Sequence, residues 1–405
     1  MTFLDYPTKR IKEGLVELLV PDPEAYKRSD GVFEPTWAPV FYNPRMAFNR
    51  DIAVLFANAY RALMGKERII VVEPLAATGV RALRYALEAK AIVYASDISE
   101  EAYKLMKYNI EANNAASLIH VERSDANEFM YRLAEIGVKP DIVDIDPFGS
   151  PAPFIEAALH LLRRGGVLAV TATDVAPLSG SNLRALRRKY DVIPYRTPWS
   201  KEQALRILIG YIMRRAGLHD LAVRVLLAYY TDYYLRAYLL VEPGAIRSNE
   251  VLENFLSYAA VCMSCLFTAY VEEPRDYPVC PYCGSTTFIL GPLYNGRLCE
   301  ERYVRMMISL ASAMKGLSNR ERTVKLLSLL LDECKLVKPY VRIDKLCSRL
   351  RINMPKIALV VEELRKRGYE ASRTHFDPRA IKTNAPHPIL VETILSLARN
   401  RRPSN

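Results

Sequence analysis

The run Asp144-Ile145-Asp146-Pro147-Phe148-Gly149-Ser150-Pro151 gathers more chemistry than any other stretch of this 405-residue chain. It follows a short apolar segment, 140–144, that reads as a strand, so it forms a loop at a strand tip. An exocyclic amine on a nucleobase is a weak nucleophile, because its lone pair is delocalised into the ring. Asp146, with the Pro147 carbonyl as a second acceptor, could take hydrogen bonds from such an amine, localise the lone pair and receive the proton. Phe148 offers a face on which an extruded base can stack. Pro147 stiffens the loop and limits misplacement of the reacting atoms. An ordinary Pro/Gly turn would not require acid, proline and aromatic side by side.

A second constellation lies upstream. Ile69-Ile70-Val71-Val72-Glu73 is an apolar strand ending in an acid, followed by the small-residue loop Pro74-Leu75-Ala76-Ala77-Thr78-Gly79 and a helix. Small residues let a ligand approach the backbone, and a helix N-terminus presents free N–H groups. The loop has neither G-x-G-x-x-G nor a P-loop lysine, which argues against NAD and ATP. The next strand ends in Asp97, placed to bind ribose hydroxyls. The strand after it leads into Asp125-Ala126, where an adenine would lie. An acid after each of three consecutive strands fits an adenosine nucleoside, and the near-neutral pocket suits the cationic sulfonium of S-adenosylmethionine. Each aspartate could instead cap the helix that follows it.

Four of the seven cysteines form two C-x-x-C pairs, Cys262/Cys265 and Cys280/Cys283. This is close to zinc-ribbon spacing, and four thiolates leave no open position, so the expected role is a structural Zn2+ site. Cys299, Cys334 and Cys347 are scattered. The unpaired count and the lack of a secretion signal suggest a reducing, cytoplasmic setting. No run of about 18 apolar residues suggests a membrane span.

The elements that must position these groups follow from periodicity. Strand-like runs at 68–73, 91–96, 119–122, 140–144 and 166–172 alternate with helix-like stretches at 79–89, 100–113, 126–136 and 152–162. Such alternation predicts an α/β fold with a doubly wound parallel sheet. Residues 221–229 and 233–241 read as an antiparallel hairpin at its edge, turning at 230–232. A strand at 14–20 and a helix at 49–64 precede the sheet. From 301 onward helices dominate: 303–315, 320–333, 343–350 and 356–367. The last two, a turn and a β-like stretch suggest a winged helix. The expected division is 1–245 for the catalytic domain, 246–300 for a zinc-binding ribbon and 301–405 for a C-terminal module.

Charge supports that division. The chain has 56 Lys+Arg against 45 Asp+Glu, a net of +11, and residues 301–405 alone carry +12. A basic module on a near-neutral body suggests a grip on a polyanion, nucleic acid first. Its surface would be built from Lys338, Arg342, Lys345, Arg349, Arg351, Lys356, Arg365, Lys366 and Arg367. A second basic cluster, Arg184, Arg187, Arg188 and Lys189, could also meet RNA.

Asp-Pro-Pro-Tyr/Phe is the signature of amino-methyltransferases, and Asp146-Pro147-Phe148-Gly149-Ser150-Pro151 resembles the form found in tRNA guanine-26 N2-dimethyltransferases. Further stretches resemble the same family. They are Phe41-Tyr42-Asn43-Pro44-Arg45-Met46-Ala47-Phe48-Asn49-Arg50-Asp51, Ala77-Thr78-Gly79-Val80-Arg81, Thr171-Ala172-Thr173-Asp174, Arg373-Thr374-His375-Phe376 and Ile381-Lys382-Thr383. The resemblance implies a Rossmann-like class I S-adenosylmethionine methyltransferase sheet and tRNA as partner. The sequence leaves the oligomeric state open, and a monomer is assumed. The resemblance further implies that Arg50, Arg81, Asp97, Asp125 and Ala126 contact S-adenosylmethionine. Asp146 and Pro147 would engage the guanine amine, and Phe41 and Phe148 would flank the base. Glu73 departs from the family, where Asp is common. The Asp-Pro-Phe loop alone also permits an adenine or cytosine amino-methyltransferase, and the cysteines and basic tail alone permit a non-catalytic nucleic-acid-binding protein.

Overall fold

The computed structural model describes residues 4–399. A hairpin of β1 (Thr8–Glu13) and β2 (Val16–Pro21) precedes helix α1 (Ala47–Leu63). Strands and helices then alternate: β3 (Ile69–Glu73), α2 (Val80–Ala89), β4 (Ala91–Asp97), α3 (Glu100–Ala112), β5 (Ile119–Arg123), α4 (Ala126–Glu135), β6 (Ile142–Ile145), α5 (Ile155–Leu161) and β7 (Gly166–Ala172). Helices α6 (Val175–Leu178), α7 (Leu183–Tyr190) and α8 (Ser200–Gly217) lead to β8 (Leu221–Thr231) and β9 (Tyr234–Pro243).

These strands form one seven-stranded sheet in the order β5-β4-β3-β6-β7-β9-β8. The first five are parallel, and β9 and β8 are antiparallel. Strands buried on both faces are continuous apolar runs, as in Val167–Ala172 of β7, all buried. Strand order reverses between β3 and β6, which opens a crevice at their carboxyl ends. The β8–β9 hairpin is longer than its apolar pattern suggests. Tyr230 and Thr231 pair with Leu235 and Tyr234, leaving a two-residue turn at Asp232-Tyr233. Asp232, at φ 49°, tolerates the positive φ that such a turn needs.

The remaining elements are α9 (Ala245–Phe255), β10 (Leu256–Cys262), β11 (Thr268–Val271), β12 (Thr287–Tyr294), α10 (Glu301–Ala313), α11 (Arg320–Glu333), β13 (Val341–Arg342), α12 (Ile343–Leu350), α13 (Ile357–Lys366), β14 (Ala371–Arg373), β15 (Ala380–Thr383) and α14 (His387–Arg399). Strands β10–β12 form one small antiparallel sheet and β13–β15 another.

The cores run across the expected boundaries at 245/246 and 300/301. Val261, Leu290 and Leu293 share one core with α8 and the far face of the main sheet. Tyr303, Met307, Leu327 and Leu330 of α10 and α11 share another with α1 and α2. Phe56 of α1 stacks between Tyr238 and Tyr303, with centroids 4.0 and 5.6 Å away. The segment from β13 onward has a cluster of its own, built on Ile343, Leu346, Val360, Leu364, Ile381 and Ile394, with Leu266 reaching in from the ribbon, although its Phe376 and Ala380 join the core of the body. Charge placed the expected boundary at 301, but apolar burial decides where a core ends, and α10–α11 bury into the body. Cys299 and Cys334, 35 residues apart in sequence, form a buried disulfide that fastens the end of α11 to the segment entering α10. Among the described residues, no helix is long and apolar enough to cross a membrane.

Candidate active site

A cavity of about 870 Å3 opens at the switch point. Its lining includes Phe41, Arg50, Glu73, Ala77, Thr78, Arg81, Asp97, Asp146, Pro147, Phe148 and Asp174. The loop from β3 to α2 makes the sharp turn that brings backbone to this cavity. Gly79, at φ +75°, ends it, and a Cβ there would lie 2.7 Å from the Met106 side chain. Asp97 anchors the loop from β4: its Oδ2 accepts from the Ala77 N–H at 2.9 Å and its Oδ1 from the Ser99 N–H at 3.0 Å. Asp125 and Ala126 are not among the cavity residues. Asp125 is exposed and caps α4, accepting from the Asn127 and Glu128 N–H groups at 2.9 and 3.2 Å, and Ala126 is buried.

Beneath the cavity lies a layer of buried charge. Arg50 forks onto Glu13 of β1, with Nε–Oε1 and Nη2–Oε2 both at 2.6 Å. Tyr42 and Arg84 also donate to Glu13, at 3.0 and 3.2 Å. Burial pushes the Glu13 carboxyl up, but the Arg50 and Arg84 cations and the Tyr42 hydroxyl outweigh it and hold it at about 2. Arg81 ion-pairs with Asp146, donates to Asn49 at 3.0 Å and lies 3.4 Å from Glu73 and 3.6 Å from Asp144. Asp144, in β6 two residues before Asp146, is fully buried and shares Arg81 with it. It receives both Arg236 Nη groups at 2.7 Å and the Tyr85 hydroxyl at 2.6 Å. Burial raises the Asp144 carboxyl, yet Arg236 and Arg81 hold it below the usual range.

Glu73 behaves oppositely. Burial, reinforced by Asp144 and Asp146, pushes its carboxyl well above the usual range despite Arg81. Its Oε2 is buried without a hydrogen-bond partner, as is the Thr78 hydroxyl. Two orphan polar atoms on the cavity floor mark where a ligand's polar groups would bind.

The Asp146 loop is clamped by the segment following β7. Gly149, at φ +92°, donates its N–H to the Thr173 hydroxyl at 2.7 Å and accepts from the Thr173 N–H at 3.0 Å. Ser150 meets the Tyr190 hydroxyl at 2.8 Å, which donates to Asp174 at 2.9 Å. The Thr171–Asp174 motif thus serves as the brace of the catalytic loop. Helix α7 carries Arg184, Arg187 and Arg188, exposed and in no ion pair among the described residues, while Lys189 pairs with Asp174. Phe148 is 80% exposed and Phe41 38%, and their rings meet edge-on at 6.3 Å between centroids.

Glu13, Asp144, Arg236 and Asp174 are site residues that sequence reasoning missed. Asp144 stands within the quoted loop, whereas nothing in spacing links it to Arg236, 92 residues away. The four cysteines do converge: their Sγ atoms all lie within 4.8 Å of one another. A tetrahedral zinc with Zn–S bonds of about 2.3 Å places its sulfurs roughly 3.8 Å apart, so the cluster fits the ion.

A parallel sheet whose order reverses at a cleft with acidic strand tips, edged by an antiparallel hairpin and bearing an Asp-Pro-Phe loop, is the fold of an S-adenosylmethionine-dependent methyltransferase. The Pyrococcus horikoshii Trm1 structure in complex with S-adenosyl-L-methionine superposes with a TM-score of 0.82 and 36% identity, covering 95% of this chain and 99% of that one. The family model of N2,N2-dimethylguanosine tRNA methyltransferase matches residues 20–395. A tRNA (guanine(26)-N(2))-dimethyltransferase of Saccharolobus islandicus is 38% identical over 96% of this chain and 99% of its own, and one of Aeropyrum pernix 38% over 95% and 96%. The chain belongs to this family of tRNA guanine-N2 dimethyltransferases.

Proposed function

We propose that the chain methylates the exocyclic N2 of guanine 26 in tRNA, giving N2-methyl- and N2,N2-dimethylguanosine, with Asp146 at the reacting amine. One observation carries the assignment of roles. Phe148 stands 80% exposed at the cavity beside Asp146, an aromatic face no core explains and a base could cover. Bound S-adenosylmethionine supplies an electrophilic methyl on its sulfonium. The family resemblance gives Arg50 and Arg81 to its carboxylate. Glu13 holds the Arg50 fork and Asp146 the Arg81 Nη2, so the carboxylate would take the N–H groups those acids leave free. The orphan Oε2 of Glu73 suits its ammonium and the remaining lone pairs of Asp97 the ribose. Asp125 and Ala126 are not among the cavity residues, so their proposed adenine contact rests on their place after the third strand and on family resemblance.

Asp146 accepts a hydrogen bond from guanine N2–H, which localises the amine's lone pair, and takes the proton released as N2 gains a carbon. Arg81 fixes the direction of that carboxylate. The Pro147 carbonyl is the second acceptor, and Phe41 and Phe148 hold the ring. A monomethylated amine keeps one N–H for Asp146, so the same geometry serves a second round. Asp146→Ala should lower methylation by about 10^3-fold or more while leaving cofactor affinity within a few-fold. Nucleoside analysis of digested tRNA and a calorimetric titration with the cofactor check both halves, and full activity in this variant sinks the assignment.

We further read Cys262, Cys265, Cys280 and Cys283 as a structural Zn2+ site. Metal analysis of reduced protein should find one zinc per chain, lost in Cys265→Ser/Cys280→Ser. We read the winged-helix-like segment from β13 onward as the grip on tRNA, at work in the cytoplasm. Its free cations flank α12: Lys345, Arg349, Arg351 and Lys356 are exposed and in no ion pair among the described residues. On α13, Lys366 and Arg367 are already paired with Glu362 and Glu363.

A further inference from the structure

The seam between the catalytic body and the C-terminal segment holds a cavity of about 260 Å3 that the methyl-transfer site does not use. It sits at the start of α8, an 18-residue helix whose N-cap residue, Trp199, makes no side-chain cap bond. Ser200 and Lys201, the first residues of that helix, line the cavity, so the positive end of the helix dipole faces it, while the Lys201 N–H is already donated to the Tyr340 hydroxyl. Thr197 lines it too. That residue is 5% exposed, and its hydroxyl is buried without any hydrogen-bond partner. A buried orphan hydroxyl is costly unless something visits it.

The charges around it sort into used and unused. Lys201 donates to the Phe376 carbonyl at 2.8 Å. Arg342 pairs with Asp344 and Asp377 at 2.6 and 2.9 Å. Asp377, the one acid in the lining, is also bound by the Arg379 N–H at 2.9 Å. Arg196 on the body and Lys345 on α12 are exposed and make no ion pair among the described residues. An adjoining cavity of about 470 Å3 shares Lys345, Pro198 and Met263 and adds Arg349, so the free cations continue as a track along α12.

We propose that this seam is a phosphate-binding site, and that its occupant is the sugar–phosphate backbone of the substrate tRNA. A phosphodiester oxygen would satisfy the Thr197 hydroxyl at the positive end of α8, and Arg196 and Lys345 would neutralise it. The site bridges body and basic segment, so one phosphate there sets the angle at which the tRNA meets the catalytic cavity. The inference rests on the tRNA reading above and adds to it a binding point outside the active site.

The test is tRNA binding to the full chain over a series of salt concentrations. Arg196→Ala/Lys345→Ala should weaken binding by about 10-fold and reduce the slope of log K against log salt by roughly 1–2. Lys104→Ala on α3, paired with Glu100, should change neither. Thr197→Val gives a second readout independent of charge. It should keep or raise the melting temperature, because an unsatisfied buried hydroxyl is removed, yet weaken tRNA binding about threefold. Unchanged affinity and slope in Arg196→Ala/Lys345→Ala together with unchanged affinity in Thr197→Val, in a chain that still methylates tRNA, overturns the seam site alone. Wild-type protein that neither binds nor methylates tRNA overturns the reading beneath it as well.

Discussion

Arginines serve two regions of this molecule in opposite ways. Beneath the Asp146 loop Arg81, Arg84 and Arg236 are at most 3% exposed; Arg81 and Arg84 are each held by carboxylates from several elements, and Arg236 by Asp144. Along α12 and its following turn, Arg349 and Arg351 are exposed and make no ion pair among the described residues. Taking a guanidinium out of water costs several kcal/mol, so the buried set persists only because every member is matched. What the matching yields is geometry: β1, α1, α2, β6 and β9 converge on a few carboxylate oxygens, and Asp146 inherits a fixed direction from them. The exposed set stabilises the fold little and stays available to a polyanion. The same side chain is scaffold where it is paired and reagent where it is free.

The sharpest break of this contrast is Arg236→Ala. It strands Asp144 in the interior and should cost about 3–5 kcal/mol in urea unfolding, whereas Lys366→Ala on α13 should leave the melting temperature unchanged. A loss below about 1 kcal/mol for Arg236→Ala would mean that the layer is not load-sharing.

Acid provides the next test. The folded Glu13 carboxyl is held at about 2, below its unfolded value. Its stabilisation is therefore complete above the ordinary carboxylate range and is lost as pH falls from there toward 2. Roughly 3 kcal/mol should disappear over that window, and Glu13→Gln should flatten that part of a stability–pH profile. A wild-type profile that is already flat there contradicts the pairing.

The smallest expected effect concerns Glu73, whose carboxyl is pushed by burial well above the usual range, so that it is expected to hold a proton before the cofactor binds. Arrival of the cofactor's ammonium should release it, up to about one proton per binding event. Calorimetry in buffers of different ionisation enthalpy reads this directly, and Glu73→Gln should abolish the release. Identical heats in both buffers for the wild type would rule out a neutral Glu73.

Much of this architecture was legible beforehand because it is written in local pattern. Apolar runs alternating with amphipathic stretches marked the parallel strands, and Glu73, Asp97 and Asp146 at strand tips marked the cavity. Paired C-x-x-C spacing predicted a convergence that the four sulfurs achieve. What stayed hidden depends on tertiary neighbours. Nothing local distinguishes an arginine destined for Asp144 from one destined for solvent. Asp125 was readable either as ligand or as cap, and its side chain is engaged as a cap. The amphipathic faces of α10 and α11 name no partner, so the charge tally drew a boundary at 301 that burial erased. Cys299 and Cys334 gave no spacing signal and nevertheless meet.

The burial of α10 and α11 against α1 also limits how this chain can be recombined. A chimera joined at Glu301 would strip Tyr303, Met307, Leu327 and Leu330 from the core and leave Phe56 facing water. A joint between Glu333 and Val341 keeps the α12–α14 cluster whole, but the recipient must still receive Phe376 and Ala380 into its core and supply a partner for Lys382, which pairs with the buried Glu202. The exchangeable cassette is thus shorter than the basic tail, and its two preceding helices must travel with the recipient.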